Sequence, residues 1–188
     1  MAKGTPVGAI RLYERNAELS EALYGVVQGL EITMRNAVHL ALCATCGCNW
    51  NETISLQESE VLTLSGAKRQ IANQNEVITA GKIVAELNFG FWVWLFSSAY
   101  DRTLWGPAFS KILPPNLNRR AVYERLKDIK TLRNRIAHHN RIIGRKKPVE
   151  EHYRETLEAI GWFSPTTRLW IEQTTCFVER LSQKSRQH

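Results

Sequence analysis

An all-α fold is predicted for this chain by three observations. Apolar residues recur at helical spacing, short polar breaks separate the periodic segments, and no alternating stretch rich in Val, Ile and Thr reads as a strand. Short connections between helices favour an up-and-down bundle. At 188 residues the chain is long enough to bury a sizeable core and too short to require division, so residues 1–188 are read as a single domain.

The first helix is expected from about Ile10 to Cys43, with Gly25 or Gly29 as the candidate break and Gly47 as its end. Leu23, Val27, Leu30, Met34, Ala37 and Ala41 follow i, i+3/i+4 spacing and mark its buried stripe. A polar connection through Thr53-Ile54-Ser55 leads to a helix over about Glu58 to Ala72, then a loop over Asn73 to Gly81. Lys82 to Ala99 reads as helical and carries Phe89, Phe91, Trp92, Trp94 and Phe96, a block expected to form core or an interface between copies. Pro107, Pro114 and Pro115 punctuate the next connection. Three more helices are expected over about Leu117 to His139, Pro148 to Ile160 and Pro165 to Leu181.

Charge narrows the partner. The formal net charge of +7 and pI near 9.4 favour an anionic ligand. The longest apolar run, Phe91 to Phe96, is far below the ~18 residues of a spanning helix, so no membrane partner is expected. Met1-Ala2-Lys3-Gly4-Thr5-Pro6 lacks the apolar region of a signal peptide, and a cytoplasmic location is expected. Cys43, Cys46 and Cys48 cluster, but nothing near Cys176 completes a zinc set. The cysteines are read as reduced thiols at a helix end, with neither metal nor cofactor expected.

From Ile129 to Val149 there are seven Lys or Arg and no Asp or Glu, with His138 and His139 adjacent in the middle. Guanidinium grips phosphate bidentately, and imidazole gives or takes a proton near neutral pH. Arg141, Arg145, Lys146 and Lys147 therefore read either as a phosphate-contacting patch or as a solvated basic face. Within the helix, Val122, Leu126, Ile129, Leu132 and Ile136 form a stripe that takes in Arg133. Asn134 and His138 are i, i+4 neighbours, whereas Arg133 and His138 are about 140° apart on an ideal helix. For Arg133 and His138 to act on one phosphate, either the helix end departs from ideal or two copies pool their residues. The competing structural reading pairs Arg133 with a carboxylate and uses the histidines to cap the helix. Arg35, Asn36 and His39 form a second Arg-Asn/His set on the first helix, read as a structural pair or as support for the site.

The segment Arg133-Asn134-Arg135-Ile136-Ala137-His138-His139 resembles the Arg-Asn-x-x-Ala-His-His signature of Abi-like proteins, within the HEPN superfamily. The stretch Leu30-Glu31-Ile32-Thr33-Met34-Arg35-Asn36-Ala37-Val38-His39 resembles that family's early helix. Ile83-Val84-Ala85-Glu86-Leu87-Asn88-Phe89-Gly90-Phe91-Trp92 is similar to its Val-Ala-Glu-Leu-Ser-Phe-Gly-Phe-Trp block, and Ile160-Gly161-Trp162-Phe163-Ser164-Pro165 to its Gly-Trp-Ile-Ser-Pro. The resemblance runs in order over nearly the whole chain. It departs after His139, where Asn140-Arg141 stands in place of a frequent Glu-Pro.

The resemblance implies a HEPN-like helical bundle with additional helices, a homodimer with the Arg-to-His motif at its interface, and metal-independent endoribonuclease activity. It also implies a role in abortive infection and antiviral defence, or as a toxin held by an RNA or protein antitoxin. Carried over, Arg133 and His138 are the motif residues and Asn134 the polar residue beside them. His139 is either a second proton-transfer group or a helix-end residue, and Arg135 joins the residues that contact RNA. The rival expectation is a catalytically inert module of the same fold that binds RNA or a partner protein.

Overall fold

A computed structural model describes residues 6–182; most of the amino-terminal segment read above for a leader lies outside them. The chain is all-α: the described residues form helices, short 3-10 and π turns, and no strand. The helices are α1 (Pro6–Cys46), α2 (Trp50–Thr53), α3 (Glu58–Asn73), α4 (Ala80–Glu86), α5 (Phe89–Trp94), α6 (Arg119–Ala137), α7 (Val149–Phe163), α8 (Pro165–Thr174) and α9 (Phe177–Ser182). Among the described residues no helix is long and apolar enough to cross a membrane. The chain divides into two compact units, one of residues 1–30 with 131–188 and the other of residues 31–130.

α1 runs unbroken through both glycines where a break was expected. Gly25 faces open space, so it leaves the helix intact at a modest cost in propensity. Gly29 serves close packing. A Cβ there would meet the Ile171 side chain of α8 at 2.2 Å, so the missing side chain lets α8 lie against α1. In the same unit the Tyr153 ring of α7 stacks on Phe177 of α9, centroids 4.5 Å apart. Ser164 ends α7 by donating its N–H to the Ile160 carbonyl, and starts α8 by accepting the Thr167 N–H at 3.1 Å. Pro165 then occupies the first turn of α8, where its missing N–H has no cost.

The expected helix over Pro165 to Leu181 is two. Thr175 takes an extended backbone and its hydroxyl accepts the Phe177 N–H, so α9 starts afresh after the Thr174-Thr175 pair. The segment Lys82 to Ala99 is likewise divided. Asn88 caps α5 by accepting the Phe91 N–H at 2.9 Å, an N-cap that Asn favours, and a 3-10 turn follows over Ser98–Tyr100.

The core of residues 31–130 gathers that aromatic block. Trp50, Phe91 and Trp92 pack edge-on or tilted at 5.3 to 6.4 Å between centroids, and Phe96 lies 4.8 Å from Phe109. Of the two places expected for this block, core or an interface between copies, Phe91 and Trp92 take the core, 2% and 0% exposed. They are enclosed by core because both fall on the inward side of a short helix. Trp94 is 44% exposed, tilted against Tyr123 with the Lys130 ammonium over its ring. Glu60 is a buried carboxylate satisfied by hydroxyls: Tyr100 donates to it at 2.9 Å and Ser59 at 2.7 Å. Tyr100 in turn accepts the Gln57 N–H, and burial pushes its pKa up to about 12.

The two glycines of α1 should separate by substitution. Gly25→Ala should stabilise the protein by about 0.5–1 kcal/mol through helix propensity. Gly29→Ala forces Ile171 to move, and over-packing of about 1–3 kcal/mol should cancel or exceed that gain. Denaturant unfolding of both variants measures the difference; equal stabilisation would refute the packing role of Gly29.

Candidate functional site

α6 begins at the Asn118 cap, whose side chain accepts the Ala121 N–H at 2.8 Å, and ends two residues before the expected His139. The backbone reverses there. His139 has φ 54°, its N–H donates to the Ile136 carbonyl at 3.0 Å, and the Asn140 N–H donates to the Arg135 carbonyl at 2.8 Å. These two bonds make a Schellman cap with His139 in the left-handed position that glycine usually fills. Ala137 is thus the last helical residue; His138 still makes the helical bond, and His139 is the residue that leaves the ideal wheel. Both side chains are exposed. Arg133 is half-buried, as its place beside the apolar stripe suggests, while Asn134 is exposed. The bond between Asn134 and His138 is the ordinary helical one, from the His138 N–H to the Asn134 carbonyl at 3.0 Å.

Beyond the cap the chain is held by Asn16 of α1. Its buried side-chain oxygen accepts the Ile142 N–H at 2.8 Å and the Ile143 N–H at 3.4 Å. Sequence reasoning missed this residue. The available signal was a polar side chain three residues before Leu19 and seven before Leu23, on the buried face of α1. Such a position calls for a hydrogen bond.

The loop so anchored gathers cations. Arg135, Asn140, Arg141 and Arg145 line one depression of about 300 Å³. Arg141 is also a brace: its Nε donates to the Ile143 carbonyl at 2.8 Å and its Nη2 to the Gly144 carbonyl at 3.0 Å. Gly144 has φ 62° and leaves room for that guanidinium. Lys146 is exposed, and Lys147 forms an ion pair with Glu155 of α7. Of the five residues expected to contact RNA, three therefore converge, and Lys147 has a carboxylate partner within its own unit. On the other side of the cap, His139 lines an open cleft of about 620 Å³ with Tyr13, Ser20 and Tyr24 of α1.

Helix ends carry a partial charge, and the carboxyl end of α6 is negative. An anion placed there is held by guanidinium groups against the helix dipole, not by the helix. Among the described residues no group of three or more His, Cys, Asp or Glu side chains gathers in a way that would hold a metal ion.

Arg35, Asn36 and His39 lie in the second unit. Arg35 is half-buried and Asn36 exposed. His39 accepts the Trp50 indole N–H on Nδ1 at 2.9 Å and lies 3.7 Å from the Cys43 sulfur, so it fixes Trp50 in the aromatic core. Burial lowers its pKa below the ordinary 6.5.

Comparison of the chain with protein-family models, with curated proteins and with solved structures finds no match.

Two outcomes follow from this geometry. Asn16→Ala leaves the Ile142 N–H buried without a partner and should cost about 1–3 kcal/mol, with faster amide exchange over residues 140–148. Unchanged exchange there would show that Asn16 does not hold the loop. His39 should give a pH signature. Its folded pKa lies below 6.5, so between the two values the unfolded chain binds more protons. Its contribution is whole above pH 6.5 and is lost as pH falls through the folded value, where the ring can no longer accept from Trp50. His39→Gln should flatten that part of the stability–pH curve, read by denaturant unfolding.

Proposed function

We propose that the chain is a metal-independent endoribonuclease of HEPN type, an RNA-cleaving effector of abortive infection or toxin–antitoxin systems. The observation that carries the reading is the convergence of Arg135, Arg141 and Arg145 on one depression, in the turn that also presents His138 and His139. Arginines set around a concavity suit the non-bridging oxygens of a phosphodiester, and the same turn carries two imidazoles able to transfer protons, His139 on the side of the Tyr13–Tyr24 cleft. In the proposed reaction the ribose 2′-OH attacks the adjacent phosphorus and the P–O5′ bond breaks, leaving a 2′,3′-cyclic phosphate and a 5′-OH. One histidine takes the 2′-OH proton and an acid returns a proton to the departing oxygen. Arg133 offsets the charge on the phosphorane, and Asn134 orients the base. DNA lacks the attacking hydroxyl and is spared. The active form is a homodimer in which Arg133 of one copy and a histidine of the other serve one phosphate.

A second reading, an inert RNA- or partner-binding module of the same fold, is favoured by a separate observation. The His138-His139 backbone is fully accounted for by the helix cap, which needs no catalysis.

Purified protein incubated with mixed RNA, with and without EDTA, separates the two. Cleavage unaffected by EDTA, with cyclic phosphate ends, is expected. Replacement of the working histidine by Ala should lower the rate about 10²-fold or more, and His138→Ala and His139→Ala made separately identify it. Loss of activity in EDTA with recovery in Mg²⁺ would overturn the mechanism. RNA binding without cleavage would leave the binding module. Mixing Arg133→Ala with His138→Ala chains should restore part of the activity if the site is shared and His138 is the working histidine.

A further inference from the structure

Three of the four cysteines sit where α1 ends, and the way it ends brings two of them together. The last helical residue is Cys46. Gly47 follows at φ 84°, its N–H donating to the Cys43 carbonyl at 3.0 Å, which is the left-handed cap that glycine permits. Such a cap folds the residue after the glycine back toward the one five positions before it. Those residues are Cys48 and Cys43, so the cap makes the two thiols neighbours at the end of α1. The next turn is fixed as well, because the Trp50 N–H donates to the Gly47 carbonyl and Trp50 is buried.

The surroundings give the two sulfurs different characters. Cys48 is exposed; Cys43 is half-buried beside His39, 3.7 Å from Nε2 and 3.8 Å from Nδ1. Because Nδ1 accepts from Trp50, the neutral ring carries its proton on Nε2, leaving no free lone pair to strip Cys43. Burial first, then the contact with Cys48, raises Cys43 to about 11, so it waits as a thiol while Cys48 meets solvent.

We propose that Cys43 and Cys48 are a redox-active dithiol that closes to an intramolecular disulfide in the presence of a hydroperoxide, with Cys48 reacting first and Cys43 resolving. In the first step the Cys48 thiolate attacks a peroxide oxygen. An S–O bond forms, the O–O bond breaks, and the alcohol or water departs with a proton, leaving a sulfenic acid. In the second step the Cys43 sulfur attacks the Cys48 sulfur. The S–S bond forms, the S–OH bond breaks, and hydroxide leaves with the Cys43 proton as water. The pair of thiols is oxidised by two electrons and the peroxide is reduced by two. The disulfide ties the last turn of α1 to the residue after its cap. It does not depend on the ribonuclease reading, since it uses none of those residues.

The test is a titration of the full-length reduced protein with hydrogen peroxide, followed by intact mass and by fragment-ion assignment of the link. A loss of two hydrogens, reversed by dithiothreitol, with the bond between Cys43 and Cys48, is expected. Cys48→Ser should abolish the loss and Cys46→Ser should leave it unchanged, while exposed Cys176 remains a thiol within the same protein. Gly47→Ala, which disfavours the left-handed cap, should slow closure. Uptake of oxygen at Cys48 with Cys43 still a thiol would overturn the proposal, as would a link through Cys46 or a covalent dimer through Cys176.

Discussion

The turn that ends α6 depends on a histidine in a conformation natural to glycine. An L residue at φ 54° carries a steric cost of about 1–2 kcal/mol, and His139 is held there by the two hydrogen bonds that close the cap. With the reversal, the chain leaves the helix at His139, and the next residues are delivered to the side chain of Asn16. Asn16 sets where the loop that follows α6 is bonded to α1, and the loop sets where Arg141 and Arg145 meet Arg135. If the helix continued one more turn, the three guanidiniums would be spread around a cylinder with no common centre.

The basic loop is therefore a built feature, with its own internal economy of hydrogen bonds. Arg141 gives two donors to the turn at residues 143–144 and helps to shape the depression that it lines. Lys147 is neutralised by Glu155 and anchors the start of α7. A run of cations that looks uniform in the sequence is thus sorted by the fold. Arg141 braces the backbone, Lys147 pairs with a carboxylate, and Arg135 and Arg145 line the depression beside Arg141.

The second unit rests on a different device, an aromatic cluster positioned by polar hooks. Trp50 is oriented by His39, Phe91 by the Asn88 cap that starts α5, and Tyr100 by Glu60. Each hook is directional, so the large rings pack in one arrangement where hydrophobicity alone would allow several. In the sequence Arg35, Asn36 and His39 are open to a structural role or to support for the site; for His39 the local role is structural, since its ring holds a tryptophan and lies beside a thiol.

By itself the sequence determined the all-α class and the buried stripes of α1 and α6. Period and composition act locally, and Leu23, Leu30, Met34, Val122 and Ile129 are indeed fully buried. It also placed the candidate residues Arg133, Asn134 and the cations from Arg141 onward at the end of α6 and in the loop beyond. Tertiary structure decided the rest. Helix breaks at Leu87–Asn88 and Thr175–Cys176 come from side-chain caps that compete with weak propensity, and Gly29 stays helical because Ile171 fills the space over it. The division of Phe91 and Trp92 from Trp94, inside against outside, was hidden because all are large apolar residues in one short run. Which arginines share a centre, and which histidine borders the Tyr13–Tyr24 cleft, follow from one backbone reversal and one hydrogen-bonded asparagine 126 residues earlier than its partner Ile142. Contacts at that sequence distance leave no periodic trace, so only the folded chain displays them.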